Sequence, residues 1–263
     1  MLNNKLQTIL CYSENDIAYV ILNRPEIHNA FNDTMISELI AVFEKIEKQP
    51  DIRVVVLSGK GKSFCAGADL NWMRKVKEYS YEDNLKGSLK LSELFYRIYS
   101  LSKPTIGRIN GTAIGGGTGL VAVCDIAVAA SNAKFSFSEV KLGLIPACIS
   151  PYVVKKCGEG KCREFFLTGE RMTAEKAYNS GLVNFVVPLD EIDKIITSLV
   201  SQLISSGPVA ITKCKELLRK VPEMPLGKAG KYTAEVIAQM RMSNEGQEGM
   251  NAFLEKRKPK WNM

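Results

Sequence analysis

The chain of 263 residues holds a single histidine, His28. A serine or cysteine nucleophile activated by histidine would have to use it, yet it sits in a polar turn with no GxSxG motif nearby. CxxC spacing is also missing. The seven cysteines, Cys11, Cys65, Cys124, Cys148, Cys157, Cys162 and Cys214, are an odd number with mostly apolar neighbours. They read as reduced, buried thiols rather than a disulfide frame or a zinc site, so no metal is expected. No apolar run reaches the roughly 18–20 residues of a membrane span. The opening MLNNKLQTILCYSEND lacks a basic region, an apolar stretch and a small-residue cleavage site. The expectation is a soluble cytoplasmic protein with no membrane partner. Two phosphate-binding loops fail on spacing. Gly61-Lys62-Ser63 would need a glycine where Val56 stands, and Leu120 stands where a GxGxxG run from Gly115 needs its last glycine.

What is present is enough apolar content, 46%, to bury a large core. The net charge of +7 is scattered until the C-terminus, where KRKPK (Lys256 to Lys260) gathers four basic residues. No aromatic-rich reading motif accompanies it, so no nucleic acid is expected. The run reads either as a solvated helix end or as an anchor for a phosphorylated small molecule.

Hydrophobic periodicity predicts a layered α/β protein. Residues 8–22 read as two short strands. Asn32 then caps an amphipathic helix over MISELIAVFEKIEK, and RVVVLSGKG follows as a buried strand. SFCAGAD reads as a small-residue loop leading into helix as far as Pro104. PTIGRING is a strand, IGGGTGL opens an apolar helix, and IAVAA and FSFSEV are strands. From about residue 158 the pattern turns helical, and three further helical runs, separated by VPEMPLG and SNEGQ, follow Pro208. The expected division is an α/β spiral core over residues 1–205 and a helical section over 206–263.

Two loop-to-helix junctions carry the candidate chemistry: CAGAD into LNWMRKV, and IGGGTG into LVAVCD. Glycine inside a helix costs roughly 0.5–1 kcal/mol against alanine, so such clustering calls for a reason. Small residues let a ligand approach the backbone, and the free N–H groups of a helix's first turn point at it. Two such groups converging on one oxygen would form an oxyanion hole. The alternative is that the glycines only permit close helix packing.

The phrases LNRPEIHNAFN, SFCAGADL, INGTAIGGG, CDIAVAA, FSFSEVKLGLIP and AFLEKRKPKW, in that order across nearly the whole chain, resemble the enoyl-CoA hydratase/isomerase (crotonase) superfamily. FCAGADLNWMR and GLIPACISPYV resemble in particular its branch of bacterial 3-methylglutaconyl-CoA hydratases of leucine breakdown. The resemblance implies a crotonase-type ββα spiral, a C-terminal helical trimerisation region, and a homotrimer or a hexamer built as a dimer of trimers. It implies an acyl-CoA thioester as substrate and no separate cofactor, coenzyme A being part of the substrate. The thioester oxygen would sit between the backbone N–H groups of Ala68 and Gly116, with Gly115 giving it room. Glu26, Ile27 and His28 match positions that wrap the CoA; Ala66, Ala68, Asp69 and Leu70 match those that hold the adenine and thioester. Trp72 and Met73 would begin the helix beside the acyl pocket, and Phe253 and Lys256 would reach the CoA of a neighbouring subunit.

One position departs from the pattern. Hydratases of the family generally use two glutamates; the second matches Glu139, a candidate general acid/base, but the first matches Gly119. Hydration would then need another holder for water, for which the resemblance offers backbone groups around Ala147, or the substrate's own carboxylate. Isomerisation of a double bond needs only one proton-shuttling base, so Gly119 raises the isomerase reading; the resemblance of GLVAVCDIA and SEVKLGLIPACISPYVV to the methylglutaconyl-CoA hydratase branch keeps a hydratase first, with an isomerase as alternative. A non-catalytic acyl-CoA-binding protein on the same fold is the third reading. For a distal acyl carboxylate the basic candidates are Arg74, Lys75 and Lys77.

Overall fold

A computed structural model describes residues 6–262. β1 (Ile9–Glu14) and β2 (Ile17–Leu22) form an antiparallel hairpin whose two-residue turn, Asn15 and Asp16, has φ of 49° and 64°. Both turn residues belong to the types that tolerate the left-handed region, as a type I′ turn requires. α1 (Asp33–Glu47) starts where the Asn32 side chain accepts the Met35 N–H at 2.9 Å, and it buries Met35, Ile36, Leu39, Val42, Phe43 and Ile46 at helical spacing.

Three ββα turns follow. The first is β3 (Val54–Gly59), β4 (Ser63–Cys65) and the helices α2 (Leu70–Val76) and α3 (Tyr81–Ser100). The second is β5 (Thr105–Ile109), β6 (Thr112–Ile114) and α4 (Gly116–Val123). The third is β7 (Ile126–Ala130), β8 (Lys134–Ser136) and α5 (Ser150–Thr168). The core section closes with β9 (Arg171–Thr173), α6 (Ala174–Asn179), β10 (Phe185–Val187) and α7 (Ile192–Ile204). α8 (Pro208–Lys220), α9 (Leu226–Met242) and α10 (Asn244–Leu254) complete the chain.

Each turn sends its first strand to one sheet and its second to another. The large sheet runs β1-β2-β3-β5-β7-β10 and the small one β4-β6-β8-β9. β2, β3, β5, β7 and β10 are parallel neighbours, which explains why β3 is buried at all six positions and opens with the unalternating apolar run Val54 to Leu57. The main core includes Leu57, Phe64, Phe95, Leu120, Phe135 and Phe165. A second core covers the other face of the large sheet, where Ile192, Ile196 and Val200 of α7 pack on Ile17, Val54, Val56, Ile106 and Val128.

Several elements differ from the sequence expectation. β4, β6, β9 and β10 are three residues each, too short to show an alternation. α5 begins at Ser150 instead of near 158 and bends at Gly158 (φ 75°, ψ 157°). SNEGQ is not a separator: the Ser243 hydroxyl accepts the Gly246 N–H at 3.0 Å and caps α10, so Asn244 is already helical.

The C-terminal section buries few of its own apolar side chains, only Ala229 in α9 and Ala252 in α10. It is tied to the core by polar contacts instead. Lys215 Nζ meets Asp125 Oδ2 at 2.5 Å and the Lys103 carbonyl at 2.9 Å, and the Trp261 indole donates to the Ser205 carbonyl at 3.2 Å. Leu226, Met242, Phe253 and Leu254 stay largely exposed on its surface. No single helix among the described residues is long and apolar enough to cross a membrane.

Candidate active site

The loop after β4 is shaped by the turn before α1. There His28 and Asn29 both adopt positive φ, 56° and 57°. Asn29 is fully buried; its Oδ1 accepts the Arg24 N–H at 2.8 Å, and its Nδ2 donates to the Lys60 and Ser63 carbonyls, both at 2.9 Å. From this turn three backbone bonds reach across: Ala66 N–H to the His28 carbonyl (3.0 Å), Phe31 N–H to the Gly67 carbonyl (2.6 Å) and Asp69 N–H to the Phe31 carbonyl (2.8 Å). Phe31 thus brackets Ala68 in a parallel bridge. The bracketing leaves the Ala68 N–H facing away, with no hydrogen-bond partner among the described residues.

Asp69 closes this first junction. Its Oδ1 caps α2 by accepting the Asn71 and Trp72 N–H groups at 2.7 and 3.4 Å, while Oδ2 pairs with Arg24 at 2.7 Å. Burial opposes its ionisation, but the Arg24 guanidinium and the two N–H groups outweigh that and hold its carboxyl below the usual range. The Asp69 side chain is therefore committed within the protein, as is its backbone, whose N–H goes to Phe31 and whose carbonyl accepts the Met73 N–H at 2.8 Å. Arg24 also donates to the Ala30 carbonyl at 2.7 Å, so a single guanidinium clips turn and loop together.

The second junction relies on glycine where the first relies on side chains. Gly115 has φ 53°, ψ −122°, and gives its N–H to the Ser136 carbonyl at 2.8 Å. The buried Thr118 hydroxyl bonds the Ala113 and Ser136 carbonyls, at 2.8 and 3.1 Å. A Cβ on Gly117 would overlap the Cys65 carbonyl oxygen, and one on Gly116 would lie 3.1 Å from the Phe31 ring. Phe31 is where the junctions meet, bridged by its backbone to Ala68 and pressed by its ring on Gly116. The Gly116 N–H, in the first turn of α4, has no partner among the described residues either. Two unpaired backbone donors held on either side of one buried phenylalanine are suited to receive an oxyanion.

Glu139 lies in the 3-10 turn that follows β8. Its Oε1 is 3.0 Å from the point where a Gly115 Cβ would stand, so the carboxyl leans over the second junction. Oε2 is buried with no hydrogen-bond partner. Burial pushes the Glu139 carboxyl up, offset only in part by a backbone N–H. A buried, unpaired carboxylate oxygen beside free N–H donors is the arrangement a general acid/base needs.

The other expected residues divide. Ala66, Trp72 and Met73 are half-buried, and the Trp72 Nε1–H is itself buried without a partner. Glu26, His28 and Leu70 are exposed along the rim, with Ile27 half-buried, and His28 Nδ1 lies 3.0 Å from the Ser63 hydroxyl. Arg74, Lys75 and Lys77 are exposed, and Arg74 is engaged with Asn71 Oδ1 at 2.6 Å. Phe253, 83% exposed, and Lys256 project from the end of α10.

One expectation changes. The Ala147 amide is not open to hold water, because the tight Ile145-Pro146-Ala147 turn directs it to the Ile145 carbonyl at 2.8 Å. Position 119, where the family's first glutamate matches, is closed by packing. A Cβ on Gly119 would overlap Ile149 Cγ2 and stand 3.1 Å from Phe95 Cε1. Sequence reading missed Arg24, Asn29, Phe31, Phe95 and Ile149. The proline-led polar turn was a usable signal for the first two; nothing local marks the last three.

A ββα spiral that sets two free backbone donors beside one buried carboxylate defines a centre able to hold an enolate and move its proton. The enoyl-CoA hydratase/isomerase family profile matches residues 12–263, and the chain belongs to that family. A crystal structure of an enoyl-CoA hydratase from Shewanella pealeana superposes with a TM-score of 0.96 at 39% identity, covering 99% of this chain and 98% of that one. The short-chain-enoyl-CoA hydratase of Clostridium acetobutylicum is 31% identical over 256 residues, 97% of each chain. The 2,3-dehydroadipyl-CoA hydratase of Escherichia coli is 31% identical over 246 residues, 92% of this chain and 94% of its own.

Proposed function

We propose that the protein is a 2-enoyl-CoA hydratase with Glu139 as its sole acid/base and 3-methylglutaconyl-CoA as its substrate. The observation that carries the reading is the buried, unpaired Glu139 Oε2 next to two unpaired backbone donors. The ionised carboxylate takes a proton from water as the water oxygen bonds to C3. The C2=C3 electron pair moves onto the thioester, whose oxygen becomes an enolate held by Ala68 and Gly116 N–H. Glu139 then gives the proton to C2, which restores the carboxylate and leaves a 3-hydroxyacyl thioester. One carboxylate serves both transfers only if they occur on the same face.

The branched dicarboxylic substrate is supported by the FCAGADLNWMR and GLIPACISPYV resemblance and by chemistry: a carboxylate on the acyl chain can help order the attacking water. One relative, by its name a 2,3-dehydroadipyl-CoA hydratase, acts on an acyl chain that also ends in a carboxylate. The rim residues 26–28 and 66–70 would hold the CoA, with Phe253 and Lys256 supplied by a neighbouring copy. The exposed apolar side chains of α9 and α10 support a trimer or a dimer of trimers. A cytoplasmic location is part of the same proposal.

A second reading has its own observation. With position 119 closed by Ile149, the site offers one base, which suffices for a 3-enoyl-CoA to 2-enoyl-CoA isomerase moving a proton from C2 to C4. A spectrophotometric assay on crotonyl-CoA, 3-methylglutaconyl-CoA and a 3-enoyl-CoA separates the readings. Fastest turnover of 3-methylglutaconyl-CoA is expected. Turnover confined to the 3-enoyl thioester establishes the isomerase, and binding without turnover of any of the three removes the enzymatic reading.

A further inference from the structure

Gly119 lies inside α4 and is not among the glycines with positive φ, so its backbone conformation is open to any residue. An alanine there would stabilise an isolated helix by roughly 0.5–1 kcal/mol. The demand for glycine comes instead from across the core. A Cβ would stand 2.2 Å from Ile149 Cγ2 and 3.0 Å from Ile149 Cβ. Ile149 is itself buried and its backbone is anchored. It is 3% exposed, and its carbonyl accepts the N–H groups of Tyr152 and Val153, both at 3.1 Å, as α5 begins. The second neighbour, Phe95, is fully buried and wedged between Phe31 and Tyr152, with ring centroids 6.5 and 6.3 Å away.

From this packing we infer that Ile149 is the specificity-determining residue of the site: it bars any side chain from position 119 and so confines the chemistry to acyl-CoA thioesters that one carboxylate can process. The inference rests on the reading of Glu139 as the acid/base. It adds that the single-carboxylate site is enforced by a named side chain at the N-cap of α5, not merely by a glycine in α4. Restoring a carboxylate at 119 therefore requires Ile149 to shrink first.

The test is a double-mutant cycle with two readouts. By thermal unfolding, Gly119→Ala lowers the melting temperature by roughly 4 °C or more with Ile149 present and by far less in an Ile149→Ala background. Equal losses in both backgrounds overturn the steric claim. By crotonyl-CoA hydration, Gly119→Glu alone gains nothing, whereas Gly119→Glu with Ile149→Ala exceeds both single variants at least tenfold. A comparable gain in Gly119→Glu alone overturns the inference. Should the charged double variant fail to fold, formate is the probe: it accelerates crotonyl-CoA hydration by Ile149→Ala and not by the wild type, and no acceleration overturns the chemical claim. Failure of the wild type to turn over any enoyl thioester sinks the functional reading instead, and leaves the unfolding cycle to be judged separately.

Discussion

The two junctions deliver the same thing, one unpaired N–H each, by opposite means. At the first, no residue of α2 is buried; the loop is held by the Arg24–Asp69 pair, the Asn29 amide and the bracket of Phe31. At the second, seven of α4's eight residues are buried and no side chain caps the helix; backbone fits backbone where glycine removes the Cβ. The first is an assembly of hydrogen bonds that can be loosened by degrees. The second is a steric lock that can only hold or fail, because close-packed interiors do not absorb an added methyl group gradually.

The largest effect expected is chemical and falls at the second junction. Glu139→Gln preserves the shape beside Gly115 and should lower kcat about 10³-fold while acyl-CoA binding, followed by titration calorimetry, is largely retained. A near-normal rate would take Glu139 out of its role. The same variant should be more stable than the wild type at neutral pH. Since the folded protein raises the Glu139 pKa, its ionisation weakens folding as pH rises, so the two melting temperatures should converge below the ordinary glutamate value of 4.5.

Next comes the lock. Gly117→Ala forces a methyl group into the Cys65 carbonyl and should cost about 3 kcal/mol, read as a fall in the denaturant midpoint together with loss of activity. Mild, separable losses would show that this junction yields like the first. The clip of the first junction should give less. Arg24→Met should cost about 2 kcal/mol, Asp69 being left nearly buried and unpaired, and should lower kcat roughly tenfold with KM little changed, because Ala68 is misplaced rather than removed. Asp69 has the opposite pH signature to Glu139. Its lowered folded pKa gives stability that is present above the usual 3.8 and lost as pH falls through the folded value, and Arg24→Met should flatten that acid limb of the stability curve. Smallest is His28→Asn, which keeps a residue tolerant of positive φ on the exposed rim and should shift stability by less than about 0.5 kcal/mol. A larger loss would make the His28–Ser63 contact part of the clip.

Much of the site was legible because its chemistry is carried by short local patterns. The Asn32 cap, the polar turn before it and the paired glycine junctions all act within a few residues of where they stand in the chain. Glu139 was picked out only by the family resemblance; what sets it beside the second junction is the pairing of β6 with β8. What could not be read were facts of proximity. The three-residue strands are assigned by their partners, and the Ala147 amide is claimed by a turn whose closure no propensity announces.

The order of ββα units and the two backbone-donor loops could be read from the chain, because caps, turn residues and apolar runs act over short distances; the single carboxylate came from the family resemblance. Only the tertiary structure decided what glycine means at position 119. There the constraint comes from Ile149, thirty residues further along the chain, and from Phe95 on another helix. A helix records its own backbone preferences in its sequence; the side chains that will fill the space above it are fixed only when the other elements pack.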